Sequence, residues 1–219
     1  MRDVSMTLSA GLDAALKAID IYPEQVAAVT NAGVAYQRLG EFQRSIAMYR
    51  RGLQLDPHNN KIYGYLGQAY FAWSNAILTG EFAVRAVRLE ALDNLMTAVR
   101  LGFHAPSMLH MIGTILLDLG RLDEAISYYD SAIRRSAELR SYYRNSKDVP
   151  AEDDIDAAGT YNQLGQAFSA LANHTMAISM FKEGLKLQPH NIPVISNLGS
   201  HCIVKLLLCL CTLACSTMN

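Results

Sequence analysis

Residues 31–42 read NAGVAYQRLGEF, and the pattern returns as YLGQAYFAW (65–73), MIGTILLDLGRL (111–122), QLGQAFSAL (163–171) and NLGSHC (197–202). Each copy has a glycine behind a small or aliphatic residue and a larger residue three positions after the glycine. The spacing is about 34 residues, and repetition at such a period predicts units that bury their apolar faces by stacking on neighbours. Val29, Ala32, Gly33 and Tyr36 fall at i, i+3, i+4 and i+7, one face of a helix. Gly40 ends that helix. Ser45, Tyr49 and Gly52 make a second stripe, and Pro57 stops the second helix. Asn59 and Asn60 stand where the next helix needs an N-cap.

The rest of the composition agrees with a helical reading. The chain has 219 residues, is 51% hydrophobic and only 8% aromatic, and shows no alternating β-branched runs. A formal net charge of -1 supplies no basic stripe for a phosphate backbone, so nucleic acid is not the expected partner. The N-terminus lacks the basic-then-apolar order of a secretory signal, and the four cysteines all lie in the last eighteen residues. The expected setting is therefore reducing and cytoplasmic, without a disulfide framework.

These units resemble the tetratricopeptide repeat family, helix–turn–helix modules with small and large residues at fixed places and a proline near the end. The match runs through Ala32, Gly33, Tyr36, Ser45, Tyr49, Gly52 and Pro57. It recurs through Leu109, Ile112, Gly113, Leu116, Ala125, Tyr129 and Ala132, and again through Tyr161, Leu164, Gly165, Phe168, Ala177, Phe181, Gly184 and Pro189. The resemblance implies an all-α, right-handed superhelical solenoid. Residues 1–25 read as the second helix of a partial repeat, with Leu12, Ala15, Ala18 and Pro23 in place. Full repeats are expected at 26–59, 60–105, 106–139 and 158–191, with an incomplete fifth over 192–219.

Three departures stand out. In 60–105 the second stripe, Ala91, Leu95 and Ala98, comes about twelve residues late. The turn Thr79-Gly80-Glu81-Phe82 comes about six late. Equal lengthening of both arms predicts a hairpin roughly 9 Å taller than its neighbours. Trp73 on the extension either fills the enlarged core or offers a partner an apolar contact. Residues 140–157 read as an insertion: a helix continuing to about Tyr143, then an exposed loop, with Ser141, Tyr142 and Ser146 as potential modification sites. In the tail IVKLLLCLCTLACSTMN (203–219), Leu206 to Cys211 is apolar on every face. Three readings remain open for it: a greasy terminal helix, an atypical end to a longer array, or a membrane tail anchor. Residues 203–215 are short for a span.

No catalytic motif, cofactor loop or metal-ligand spacing is present. The expected function is a non-catalytic scaffold holding a peptide or partner helix against its first helices. The expected contacts are Asn31, Arg38, Lys61, Tyr65, Gln68, His110, Asn162, Gln163, Gln166 and Asn197. The carboxylate clamp of chaperone-tail binders would fall on Thr30, Val34, Ser107 and Met111, which do not fit it. The amide ladder of protein O-GlcNAc transferase repeat arms is a closer likeness. Asn31, Gln163 and Asn197 occupy its position, and Tyr65 and Met111 break it. Two alternatives are the repeat arm of a larger enzyme, such as a protein glycosyltransferase, and a membrane-tethered adaptor. An uncapped apolar C-terminal end also points to self-association.

Overall fold

The computed structural model describes residues 2–76, 80–143 and 155–216, with side chains for 9–76, 80–143 and 155–204. Among these residues every regular element is a helix. The chain divides into two compact units, Met1–His104 and Ala105–Asn219. The first holds α1 (Arg2–Ile21), α2 (Val26–Arg38), α3 (Phe42–Leu55), α4 (Asn60–Ala76) and α5 (Glu81–Arg100). The second holds α6 (Pro106–Asp118), α7 (Leu122–Tyr142), α8 (Ala157–Ala170), α9 (His174–Leu187) and α10 (Ile192–Ser216). Helices pair as hairpins α2/α3, α4/α5, α6/α7 and α8/α9; α1 packs on α2, and α10 packs on α9.

The repeated glycine is the seat on which each hairpin closes. A Cβ on Gly33 would stand 2.6 Å from the Tyr49 ring, one on Gly67 2.6 Å from Leu95, one on Gly113 2.8 Å from Tyr129, and one on Gly165 2.5 Å from Phe181. Tyr49, Leu95, Tyr129 and Phe181 are all fully buried. A glycine costs a helix roughly 0.5–1 kcal/mol relative to alanine. Sealing a large side chain against the opposing backbone offsets that, because full burial of such a side chain contributes about 1.5–3 kcal/mol.

The turn after each first helix requires a left-handed residue. Gly40 (φ +78) and Gly120 (φ +74) supply it, and Ala172 takes the same repeat position at φ +57. The following amide then closes back on the helix, Glu41 to Tyr36, Arg121 to Leu116 and Asn173 to Phe168, each at 2.9 Å. Alanine bears steric strain there that glycine does not. Ala172→Gly is expected to raise stability by about 1 kcal/mol in a urea melt; a lower midpoint would refute the strain.

The second hairpin is the tall one. The described part of α4 has 17 residues against 13 in α2, and α5 has 20 against 14 in α3. The described part of α4 exceeds α2 by roughly 6 Å, and α5 exceeds α3 by roughly 9 Å, at 1.5 Å per residue. Gly80 (φ +86) precedes α5, and Phe82 is 90% exposed near its start. Thr79 lies outside the described residues. Asn59 caps α4 through Oδ1, which accepts from the Ile62 amide at 3.1 Å.

In the inserted stretch, Arg140–Tyr142 close α7, and Ser146 lies outside the described residues. The end of the insertion is not an exposed loop. Ile155 is buried, and Asp156 is the N-cap residue of α8, its carbonyl accepting from the Thr160 amide at 2.8 Å. An isoleucine at the foot of an acidic run returns to the core because burial of its side chain outweighs the charge pattern around it.

Candidate functional site

Each unit presents the exposed faces of its first helices. In the first unit Asn31 and Arg38 on α2 and Lys61 on α4 are exposed, and Gln68 is half-buried. Tyr65 is half-buried too, and its ring stacks on Tyr49 with centroids 5.9 Å apart. Tyr49 donates its hydroxyl to Gln37 Oε1 at 3.2 Å, so the platform under Tyr65 is fixed from below. Burial pushes the Tyr49 phenol well above its ordinary range, so it stays a donor at neutral pH.

In the second unit the same faces form a depression of about 280 Å³ between α6 and α8. Its lining is Ser107, His110, Met111, Ile155, Asp156, Gly159, Thr160 and Gln163. Gly159 is small for a reason: a Cβ there would lie 2.5 Å from Asp156 Oδ2. The Thr160 hydroxyl donates to the Asp156 carbonyl at 2.9 Å and lies 3.0 Å from His110 Nδ1. With its proton committed, that hydroxyl accepts from His110, so Nδ1 carries the proton and Nε2 is left as an acceptor. The His110 ring also packs on Tyr129, with centroids 5.5 Å apart.

Burial holds the His110 pKa below that of a free imidazole, and the nearby Asp156 carboxylate opposes this more weakly. Below about pH 6.5 the unfolded chain takes up a proton that the folded ring resists, so unfolding free energy rises with pH through this window. Stability is therefore expected to fall as pH drops from 7 toward 5, at no more than about 1.4 kcal/mol per pH unit for this one group. Urea melts of His110→Gln should show a flatter profile over that range. An unchanged profile would remove His110 as the source.

Three of the expected contacts, Asn162, Asn197 and His110, hydrogen-bond between successive first helices. Asn162 is 9% exposed, and its Oδ1 accepts from Asn197 Nδ2 at 2.8 Å. This amide pair ties α8 to α10, and both residues serve the joint between successive first helices. His110 shares that fate through Thr160. The physical reason is position: Thr30, His110 and Asn162 stand at one place in the repeat, facing the next first helix, where the neighbour covers them. Gln163 and Gln166, half-buried one and four positions on from Asn162, keep an open side. Asp156, Gly159 and Thr160 were missed; the short spacing Asp-x-x-Gly at the start of a helix was the available signal.

Trp73 is half-buried, its ring tilted against Tyr70 at 6.4 Å. It lines a cleft of about 440 Å³ with Ile46, Arg50, Tyr70, Val87 and Glu90, opened where α5 rises above α3. The Arg50 guanidinium donates to the Tyr70 hydroxyl at 2.5 Å. Among the described residues no group of His, Cys, Asp and Glu is arranged to hold a metal ion. Among them, too, no helix is long and apolar enough to cross a membrane; the side chains of 205–219 lie outside that statement.

A tetratricopeptide repeat model matches residues 26–59, 106–138 and 158–191. The chain belongs to the tetratricopeptide repeat family. Tetratricopeptide repeat protein 8 of Caenorhabditis elegans is 23% identical over 193 residues, covering 88% of this chain and 31% of that protein. The chain thus spans under a third of that relative's length. The crystal structure of MamA from Desulfovibrio magneticus RS-1, residue 41 to its end, aligns with TM-score 0.61 at 15% identity, covering 87% of this chain and 94% of that one. TTC0263, a thermophilic tetratricopeptide repeat protein of Thermus thermophilus, gives 0.56 at 15%, covering 90% and 91%. At these identities the likeness is one of fold: an all-α solenoid of helix–turn–helix repeats. The stretched α4/α5 hairpin lies between the first two matched tetratricopeptide segments.

Proposed function

We propose that this tetratricopeptide repeat protein is a non-catalytic interaction scaffold that holds extended peptide against the first helices of its hairpins. The observation that carries the reading is the α6/α8 depression. It sets the Gln163 amide, the Asp156 carboxylate and the apolar Met111 around one concave surface. A side-chain amide donates and accepts at once, which suits a peptide backbone of any sequence. In the first unit Tyr65 on its Tyr49 platform adds a flat apolar contact flanked by Asn31, Lys61 and Gln68. No one contact is strong, and affinity comes from several along the faces.

The test uses peptides selected from a displayed library of unstructured sequences on the intact chain, with Kd read by fluorescence polarisation. Two variants probe the units separately, Asn31→Ala with Gln68→Ala, and Gln163→Ala with Gln166→Ala. Asn162 is left intact because it holds α10. At least one pair is expected to weaken binding about 10-fold, roughly 1.4 kcal/mol, with the far-UV CD spectrum unchanged. Unaltered affinity in both would move the site off these faces.

A further inference from the structure

The stretched hairpin builds a wall that the other second helices do not have. The helices α3, α7 and α9 each begin three residues before the small residue that opens their buried stripe: Phe42 before Ser45, Leu122 before Ala125 and His174 before Ala177. The helix α5 begins at Glu81, ten residues before Ala91. Its first two turns are therefore an addition, about 10 Å of helix at 1.5 Å per residue. Ala86 and Val87 sit in those added turns and line the cleft that Trp73 shares.

Both walls of that cleft are helices, and so is its floor. The helices α3 and α5 each pack on α4 and do not pack on each other, which leaves a trough between them. Tyr70 and Trp73, one turn apart on α4, floor it beside the buried Ile46. The charges stand on opposite walls, Arg50 on α3 and Glu90 on α5, and both are exposed. Among the described residues neither has an ion-pair partner. The Arg50 guanidinium is oriented by the Tyr70 hydroxyl, to which Nη2 donates, and its other N–H groups have no partner among the described residues.

We infer that this trough docks an amphipathic helix of a partner protein, its apolar stripe on Tyr70, Trp73 and Val87, with an acidic flank toward Arg50 and a basic flank toward Glu90. The charges favour it. A trough walled by one cation and one anion complements a helix with one flank of each sign, and a helix with like-charged flanks meets repulsion on one wall. The shape favours a helix over an extended segment. The lining residues fall at steps of three and four, Gln43/Ile46/Arg50, Tyr70/Trp73 and Ala86/Glu90, and such ridges accept the i, i+4 row of another helix. An extended backbone on this apolar floor would leave its amides and carbonyls unpaired, whereas a helix brings its own already bonded. A half-buried tryptophan at the centre of a groove is a usual anchor for helix-in-groove binding.

The test uses three labelled helical probes of about 18 residues, long enough to be helical in water. Each carries one leucine stripe, flanked by glutamate on one side and lysine on the other, by glutamate on both, or by lysine on both. Fluorescence polarisation on the full chain reads Kd at low salt, where such pairs are least screened. The mixed probe is expected to bind at least about 3-fold tighter than either like-charged probe. Arg50→Glu makes both walls acidic and should move the preference to the lysine probe; Glu90→Arg should move it to the glutamate probe. Ala86→Trp fills the trough from an exposed position and should weaken the mixed probe about 10-fold or more with unchanged CD. The pair Asn31→Ala with Gln68→Ala, on the first-helix faces, should leave the mixed probe bound, whatever it does to extended peptides. A Kd weaker than about 1 mM for all three probes would overturn the inference. So would a preference unmoved by the two charge reversals, binding that survives Ala86→Trp, or binding lost with Asn31 and Gln68. Equal affinity for a mixed probe broken by a central proline would overturn it in favour of extended peptide.

Discussion

Gly165→Val is expected to destabilise the second unit by about 2–3 kcal/mol, the upper range for overpacking a filled core. The added Cβ alone would stand 2.5 Å from the Phe181 ring, and that ring is fully buried with nowhere to retreat. The hairpin has two ways to yield: α8 and α9 move apart, or Phe181 leaves its rotamer. Either loosens the packing of Val194 and Leu198 on the same ring. A urea titration followed by CD reads the loss directly. Adding Phe181→Ala should recover part of it, because the cavity left by the ring accepts the valine. A double variant as unstable as the sum of the two singles would show that seat and ring do not oppose each other.

Tyr129→Ala carries the second large effect. Removing a fully buried aromatic ring costs about 3–5 kcal/mol through lost burial and the cavity left behind. Tyr129 has two further duties: its hydroxyl donates to Thr114 Oγ1 at 3.2 Å, and its face supports His110. Burial raises its phenol pKa beyond the working range, so the hydroxyl is a fixed donor. Tyr129→Phe keeps the ring and should cost only about 1 kcal/mol, the net worth of one such hydrogen bond. The pair of variants separates packing from bonding in equilibrium unfolding. If Tyr129→Phe proved as damaging as Tyr129→Ala, the hydroxyl rather than the ring would hold the hairpin. Because His110 lines the depression, Tyr129→Ala should also weaken peptide binding there, while Tyr129→Phe should leave it intact.

Much of this was legible in the residues. Periodicity put Gly33, Gly113 and Gly165 on the stripes of first helices and Tyr49, Tyr129 and Phe181 on those of second helices, because a helix of 3.6 residues per turn fixes which positions share a face. Turn chemistry marked Gly40, since few residues tolerate the left-handed region. What escaped was how the next hairpin approaches. Asn162 and Gln163 are adjacent in sequence and about 100° apart on the helix. One is covered by α10 and the other is open, and only the neighbour's position decides which. Ile155 was hidden by composition, an apolar residue set among acids whose burial depends on contacts far along the chain. Ala172 concealed its turn because an alanine there looks like helix.

The equivalent seats also bear on how the chain avoids pairing with the wrong partner. Four second helices fit four seats of nearly one design, so chemistry alone does not say which goes where. Proximity does. In three hairpins only residues 39–41, 119–121 and 171–173 join the two helices. A tether that short holds the correct helix at an effective concentration of millimolar order, above what another molecule supplies at micromolar protein. Internal seats are claimed locally before a stranger arrives.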